Sequence, residues 1–273
     1  MKVLLVLFLM LMVLAGRDLV SPGIKKAVSG PIRQMMALIL EAGLKARQPG
    51  FLVFLLVTVA PVLPVAMLLA AFSGGGVATF WQFALILVVT LPIFMDRRLP
   101  SVMESCRKQW LDAEQTDRMA QRVELAKADL LLTALQELFA PLFWLIVIGP
   151  LASLFYYLVR CCDEQQVHAD AAAVARKIRF WLDWLPSRAL AISFALAGDF
   201  LSVWKYLQLS FAESRSSIAV FIAEAGQLAE HSLTNQTLES PIDMVRHLAH
   251  YESLCQRALG LWLVVMFLHA LLP

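Results

Sequence analysis

The stretch that decides the fold is 130–159, LLLTALQELFAPLFWLIVIGPLASLFYYLV, in which Glu137 is the one charged side chain. As a helix it would extend about 45 Å, whereas the hydrocarbon core of a bilayer is about 30 Å thick. Pro141, Pro150 and the carboxylate of Glu137 are costly inside such a run unless the protein buries or uses them. We therefore expect a broken membrane segment here rather than a plain anchor.

The composition places the chain among integral membrane proteins. Hydrophobic residues make up 60% of the sequence and charged residues 16%, whereas soluble domains carry about 25% charged residues. The formal net charge is +2 and the basic residues are scattered, so the sequence shows no basic patch of the kind that binds nucleic acid. The four cysteines show neither metal-ligand spacing nor a disulfide framework, and we expect free thiols.

Hydropathy predicts an all-α, polytopic helical membrane protein, with four to six membrane segments in a single domain over 1–273. The N-terminal run resembles a signal peptide, but we expect an uncleaved first helix there. Pro61 and Pro64 should kink the second span, which neighbouring helices can accommodate. The predicted spans lie near 3–20, 51–72, 77–95, 130–159 and 258–272, and the polar helical parts are 96–129 and 160–250.

Two topologies remain open for 130–159. Basic residues lie in three connecting stretches, 17–47, 97–127 and 160–188. If all three stretches are cytoplasmic, as the positive-inside rule favours, the segment must be re-entrant, with its turn at Gly149 and Pro150. The alternative is one tilted crossing over 139–159, because long loops translocate largely regardless of charge.

We predict a re-entrant or broken helix at Gly149 and Pro150, so that Cys106 and Cys161 lie on the same, cytoplasmic side. Residues 189–211 are apolar but are interrupted at Gly198 and Asp199, so they fit either a buried amphipathic element or a weak span.

Two short blocks closely resemble the AmpE family of inner-membrane proteins. The first is APLFWLIV at 140–147, followed by Gly149 and Pro150. The second is LDWLP at 182–186 with Arg188, followed by FALAG at 194–198. The order and spacing of both blocks match the family. The resemblance implies a multi-pass protein of the cell inner membrane that acts as a signalling or accessory protein in β-lactamase induction and peptidoglycan recycling.

The AmpE family is in turn similar to the CobD/CbiB cobinamide-phosphate synthases, which attach the aminopropanol phosphate arm to cobyric acid. This chain keeps the Ala-Pro-Leu-Phe entry of that group and its Leu-Pro-x-Arg. It departs at 132–137, 159–162 and 179–180, where apolar, thiol and basic groups replace acids and amides suited to a metal–phosphate site. A membrane enzyme of this kind, or another ligase or transferase, is the alternative to an accessory protein. A small-solute transporter using Glu137 is a third class.

Three residues are candidates for ligand binding: Glu137, Asp183 and Arg188. A carboxylate at membrane depth, such as Glu137, is a candidate for binding a cation or relaying a proton, the alternative being an interface position paired with a base. Pro186 should stop its helix at the membrane surface, where Arg188 can donate to a phosphate or carboxylate. The alternative is a structural Asp183–Arg188 pair.

We expect no catalytic residue, no metal site and no cofactor. His247 and His250 lie one helical turn apart, without the further ligands that a metal site needs, so we interpret them as surface histidines. The expected partners are the lipid bilayer and a small anionic or cell-wall-derived ligand, with no nucleic acid.

Overall fold

The computed structural model describes residues 22–72, 77–95, 119–210, 217–230 and 241–271, and within these ranges the chain is helical and contains no strand. The all-α prediction is therefore confirmed. The predicted first helix at 3–20, most of the polar part 96–129 and Cys106 lie outside the described residues.

The helices of the described residues are numbered here in chain order. They are α1 Pro22–Lys45, α2 Gly50–Thr58, α3 Val62–Ala71, α4 Val77–Met95, α5 Met119–Ala134, a π-helical turn Leu135–Phe139, α6 Ala140–Val147, α7 Pro150–Gln165, α8 Ala169–Ala197, α9 Phe200–Ser210, α10 Ile218–Ala229 and α11 Pro241–Leu271.

The helices contribute to two compact units. Unit 1 comprises 1–96, 140–182 and 267–273, and α7 is its central helix, in contact with α1 to α4 and with α6. Every residue from 156 to 163 is buried, as expected for a helix surrounded by neighbours on all sides.

Unit 2 comprises 97–139 and 183–266. In this unit α10 packs against both α5 and α9. A Cβ atom at Gly226 of α10 would lie 2.8 Å from a methyl carbon of Leu131 on α5. The glycine therefore allows these two helices to approach closely.

The two predicted interruptions in the apolar runs are confirmed. Pro61 lies in the short break between α2 and α3. At the second break, Gly149 has φ 117° and ψ −171°, a backbone conformation restricted to glycine. Pro150 then begins α7, where its missing N–H costs no helical hydrogen bond. Helices α6 and α7 pack against each other.

Two helical stretches in the described part of the chain, Gly50–Ala71 and Leu125–Val147, are long and apolar enough to cross a membrane. About a fifth of the first stretch is buried inside the protein, whereas just over half of the second is buried. The other predicted membrane segments stay predictions. The predicted span 258–272 corresponds to the C-terminal half of α11.

Candidate functional site

Pro186 does not end its helix, so that expectation is wrong: α8 continues from Ala169 to Ala197. A proline inside a helix leaves the carbonyl four residues earlier without its N–H donor, and here that carbonyl belongs to Leu182. The indole Nε1 of Trp144 donates a hydrogen bond to the Leu182 carbonyl oxygen over 3.2 Å. Trp144, in the first sequence block, therefore supplies the hydrogen-bond donor that Pro186 lacks in the second block.

Glu137 lies in the π-helical turn, is buried and belongs to the candidate membrane stretch Leu125–Val147. The turn ends two residues before Pro141, whose ring would clash with the Glu137 carbonyl in a regular α-helix. A wider π turn relieves this clash, and such turns are frequent at functional sites. The proline in an apolar run is the sequence signal that could have located the turn, which our sequence analysis missed.

Asp183 is buried with 2% of its surface exposed, and Gln136 Nε2 donates to its Oδ2 over 3.2 Å. Gln136 is the immediate neighbour of Glu137 in the π turn. The structure thus brings Asp183 of α8 next to the turn that carries Glu137. Hydropathy gave no sign of this contact, because the two residues are 47 positions apart.

Arg188 is also buried, at 4% exposed, so its predicted position at a surface is wrong. The guanidinium carbon lies 4.4 Å from the ring centroids of both Trp184 and Phe221, within the range of a cation–π interaction. Nη1 donates to Ser187 Oγ over 3.0 Å. Arg188 is buried because α8 continues past Pro186 and carries the side chain into the packed interior of unit 2.

Tyr206 completes the surroundings of Arg188. Its hydroxyl hydrogen bonds with the side chains of Glu224 and Ser210, and its ring lies 5.6 Å from the Phe221 ring between centroids. Burial lowers the pKa of Arg188, and nearby Tyr206 opposes this shift. Burial, followed by the Glu224 contact, raises the pKa of Tyr206. At neutral pH the cluster therefore presents a cation and a protonated phenol, and neither is a nucleophile.

A second buried cation in unit 2 was also missed by the sequence analysis. Lys127 Nζ donates to Gln227 Oε1 over 3.0 Å and lies 5.7 Å from the Tyr251 ring centroid. Lys127 belongs to the same candidate membrane stretch as Glu137. Ionisable residues inside such a stretch are costly and mark functional positions by default.

Metal ligation is not supported by the geometry of the described residues, which include no group of three His, Cys, Asp or Glu side chains able to hold an ion. The side chain of His247 lies outside the described part. Burial raises the pKa of Cys161 and of Cys162 to about 11 in each case. Both thiols are therefore protonated at neutral pH and poor nucleophiles or ligands.

A family model described as "Regulatory signalling modulator protein AmpE" matches residues 108–272, more than half of the chain. The chain belongs to the AmpE family. The match includes Glu137, Asp183 and Arg188, and it confirms the resemblance carried by the two sequence blocks. The family is thus one of regulatory signalling modulators, and two apolar stretches of this chain are long enough to cross a membrane. No curated protein and no solved structure matches the chain.

Proposed function

We propose that this AmpE-family chain is a multi-pass inner-membrane protein that modulates β-lactamase induction in response to peptidoglycan recycling. The family match over 108–272 is the observation that carries the proposal. The two long apolar stretches support a membrane location. The buried charges of the described residues, among them Glu137, Asp183 and Arg188, support a role in recognising a ligand.

The cluster around Arg188 supports the proposal that the signal is a small anionic ligand derived from the cell wall. Arg188 is a permanent cation with planar donors suited to carboxylate or phosphate. Because it is buried between Trp184 and Phe221, a ligand reaches it only when the surrounding helices separate. Binding would then favour the open conformation, which is how a ligand shifts the state of a regulatory protein.

The signalling proposal is tested in a strain with an inducible β-lactamase from which the chromosomal copy of this gene is deleted. We expect the wild-type chain to restore the normal induction of β-lactamase activity. The Arg188→Gln variant should be present in the membrane in normal amounts but should not restore induction. Lys205→Gln, at an exposed lysine on α9, is the matched control. Unchanged induction after deletion would contradict the proposal, and loss of Arg188→Gln protein from the membrane would favour a structural role.

The enzyme alternative has its own test, which is complementation of a strain lacking the cobinamide-phosphate synthase. Growth restored by this chain would refute the signalling proposal as stated. We expect no growth, because the acidic and amide positions of the synthase pattern hold other residue types here.

For 130–159 we propose the re-entrant topology. Helices α6 and α7 pack against each other, and exposed apolar residues, Val147 and Ile148, lie next to the Gly149 break. In the same hairpin, α7 ends in a charged segment, 160–164. An apolar tip and a charged base suit a hairpin that enters and leaves the membrane on one side.

Cys161 is a poor reporter for this topology because its thiol is buried and its pKa is raised to about 11. Two exposed positions, Lys45 and Ala169, are better sites for single introduced cysteines in a variant without the native cysteines. With a membrane-impermeant thiol reagent in intact spheroplasts, we expect both sites to stay unmodified until the cells are opened. Modification of Ala169→Cys but not Lys45→Cys would support the single crossing instead.

A further inference from the structure

A cluster of positive charge lies within unit 1, where α1, α7 and α8 contribute side chains. We call it the basic corner, and it consists of Arg33, Arg160, Arg176, Lys177 and Arg179. Two carboxylates hold its arginines together. Asp163 accepts from Arg179 over 2.8 Å and from Arg176 over 3.3 Å, and Glu164 lies 3.1 Å from Arg33 and 3.5 Å from Arg160.

Each carboxylate is shared by two guanidinium groups, and Lys177 adds an ammonium group that is exposed on α8. Arg160 and Asp163 are buried and hold the inner part of the corner, whereas Arg176 and Lys177 are exposed. Exposed cations that lie next to one another attract an anion more strongly than isolated surface lysines do.

Two cations of the basic corner, Arg176 and Lys177, are exposed on α8. The side chain of Arg176 is 64% exposed. Ala173, Lys177 and Trp181 follow at four-residue intervals and are all exposed, so they share one helix face. Trp181 is a large aromatic residue with 66% of its surface exposed, one turn beyond the lysine.

We propose that the basic corner binds the phosphate headgroup of an anionic phospholipid. Arg176 and Lys177 supply the donors and the charge, because guanidinium and ammonium groups are the usual ligands of phosphate in proteins. Trp181 lies at the level of the headgroups, where tryptophan is enriched in membrane proteins. An exposed indole beside the cations distinguishes this surface from one built for a soluble acidic partner, which would need no group adapted to the bilayer interface.

This inference goes beyond the signalling role and does not depend on it. The corner lies in unit 1, whereas Arg188 and its neighbours lie in unit 2. A lipid bound at the corner would anchor α7 and α8 at the membrane surface whether or not a cell-wall-derived ligand binds elsewhere.

The test uses the purified full-length chain in a neutral detergent with equal amounts of phosphatidylglycerol and phosphatidylcholine, and native mass spectrometry of the retained lipid. We expect phosphatidylglycerol to be retained preferentially. Each basic residue near an anionic headgroup contributes about fivefold to binding. The double variant Arg176→Gln/Lys177→Gln should therefore lose selectivity by about twenty-five-fold.

Two controls keep the test decisive. Lys177→Gln alone leaves the four arginine–carboxylate contacts in place and should lower selectivity about fivefold, with unchanged helix content by circular dichroism. Lys205→Gln removes an exposed lysine from α9 in unit 2 and should leave selectivity unchanged. Equal retention of the two lipids by the wild-type chain would overturn the proposal. So would an equal loss of selectivity in Lys177→Gln and Lys205→Gln, or complete displacement of phosphatidylglycerol by a soluble polyglutamate peptide.

Discussion

The hydrogen bond from Trp144 to the Leu182 carbonyl predicts an energetic coupling between Trp144 and Pro186. Trp144→Phe keeps an aromatic ring but removes the indole N–H. The carbonyl then has neither the indole nor a backbone donor at position 186. Leaving a buried acceptor without its partner costs about 1–3 kcal/mol, and because Leu182 is half-buried we expect the lower part of this range.

Pro186→Ala restores a backbone N–H that can donate to the same carbonyl oxygen. In this background Trp144→Phe should therefore cost less, by about 1 kcal/mol. The smaller volume of phenylalanine affects both backgrounds equally, and so does any effect of Pro186→Ala on the helix itself. A double-mutant cycle removes these contributions and isolates the hydrogen bond.

The assay is reversible unfolding of the four proteins in detergent micelles, followed by far-UV circular dichroism because the substitution changes tryptophan fluorescence. Trp181→Phe is the matched control, since Trp181 lies exposed on the same helix as Pro186, and it should change the free energy of unfolding by less than about 0.5 kcal/mol. An equal cost of Trp144→Phe in the wild-type chain and in the Pro186→Ala variant would refute the argument that the indole replaces the missing backbone donor.

Three further predictions follow from single features of the described chain. Gly149→Ala should lower the free energy of unfolding by about 1–3 kcal/mol because φ is +117° there, whereas Gly260→Ala, in open space within α11, should be neutral or stabilising by up to about 1 kcal/mol. Asp199→Ala should lower the free energy of unfolding by about 1 kcal/mol in the same assay, since the Asp199 carboxylate accepts hydrogen bonds from backbone N–H groups in the first turn of α9. Asp199→Asn keeps an acceptor oxygen and should lower it much less. Cys161 should resist thiol alkylation at pH 8 in the folded protein and react in denaturant, because burial raises its pKa to about 11; equal rates in the two states would contradict its burial.

Local rules predicted much of the helical framework. The predicted span 77–95 coincides with α4, because an uninterrupted apolar run leaves a helix as the simplest way to pair its backbone groups. The breaks at Pro61 and at Gly149 follow from residues that cannot continue a regular helix. The interruption of 189–211 also lies where expected, with Gly198 and Asp199 between α8 and α9.

The candidate site was less accessible from the sequence, because its contacts join distant positions. Arg188 was singled out as a cation beside a proline, but the rings of Trp184 and Phe221 that enclose it could not be assigned to it. Phe221 belongs to α10, which packs in unit 2 through contacts that no local pattern encodes. Gln136 was overlooked beside Asp183 for the same reason. The ligand-binding roles of Glu137, Asp183 and Arg188 stay predictions.

Four prolines show why one helix could not be predicted from local rules. Pro61 lies between two helices, Pro150 begins one, and Pro141 follows a π turn, so each is accommodated by the backbone beside it. Pro186 is different, because its helix continues and the compensating donor comes from Trp144, 38 residues before Leu182. The missing donor at this half-buried carbonyl costs about 1 kcal/mol. A side chain in another helix therefore stabilises α8 as it continues towards the buried Arg188, and no reading of the sequence around Pro186 could supply that contact.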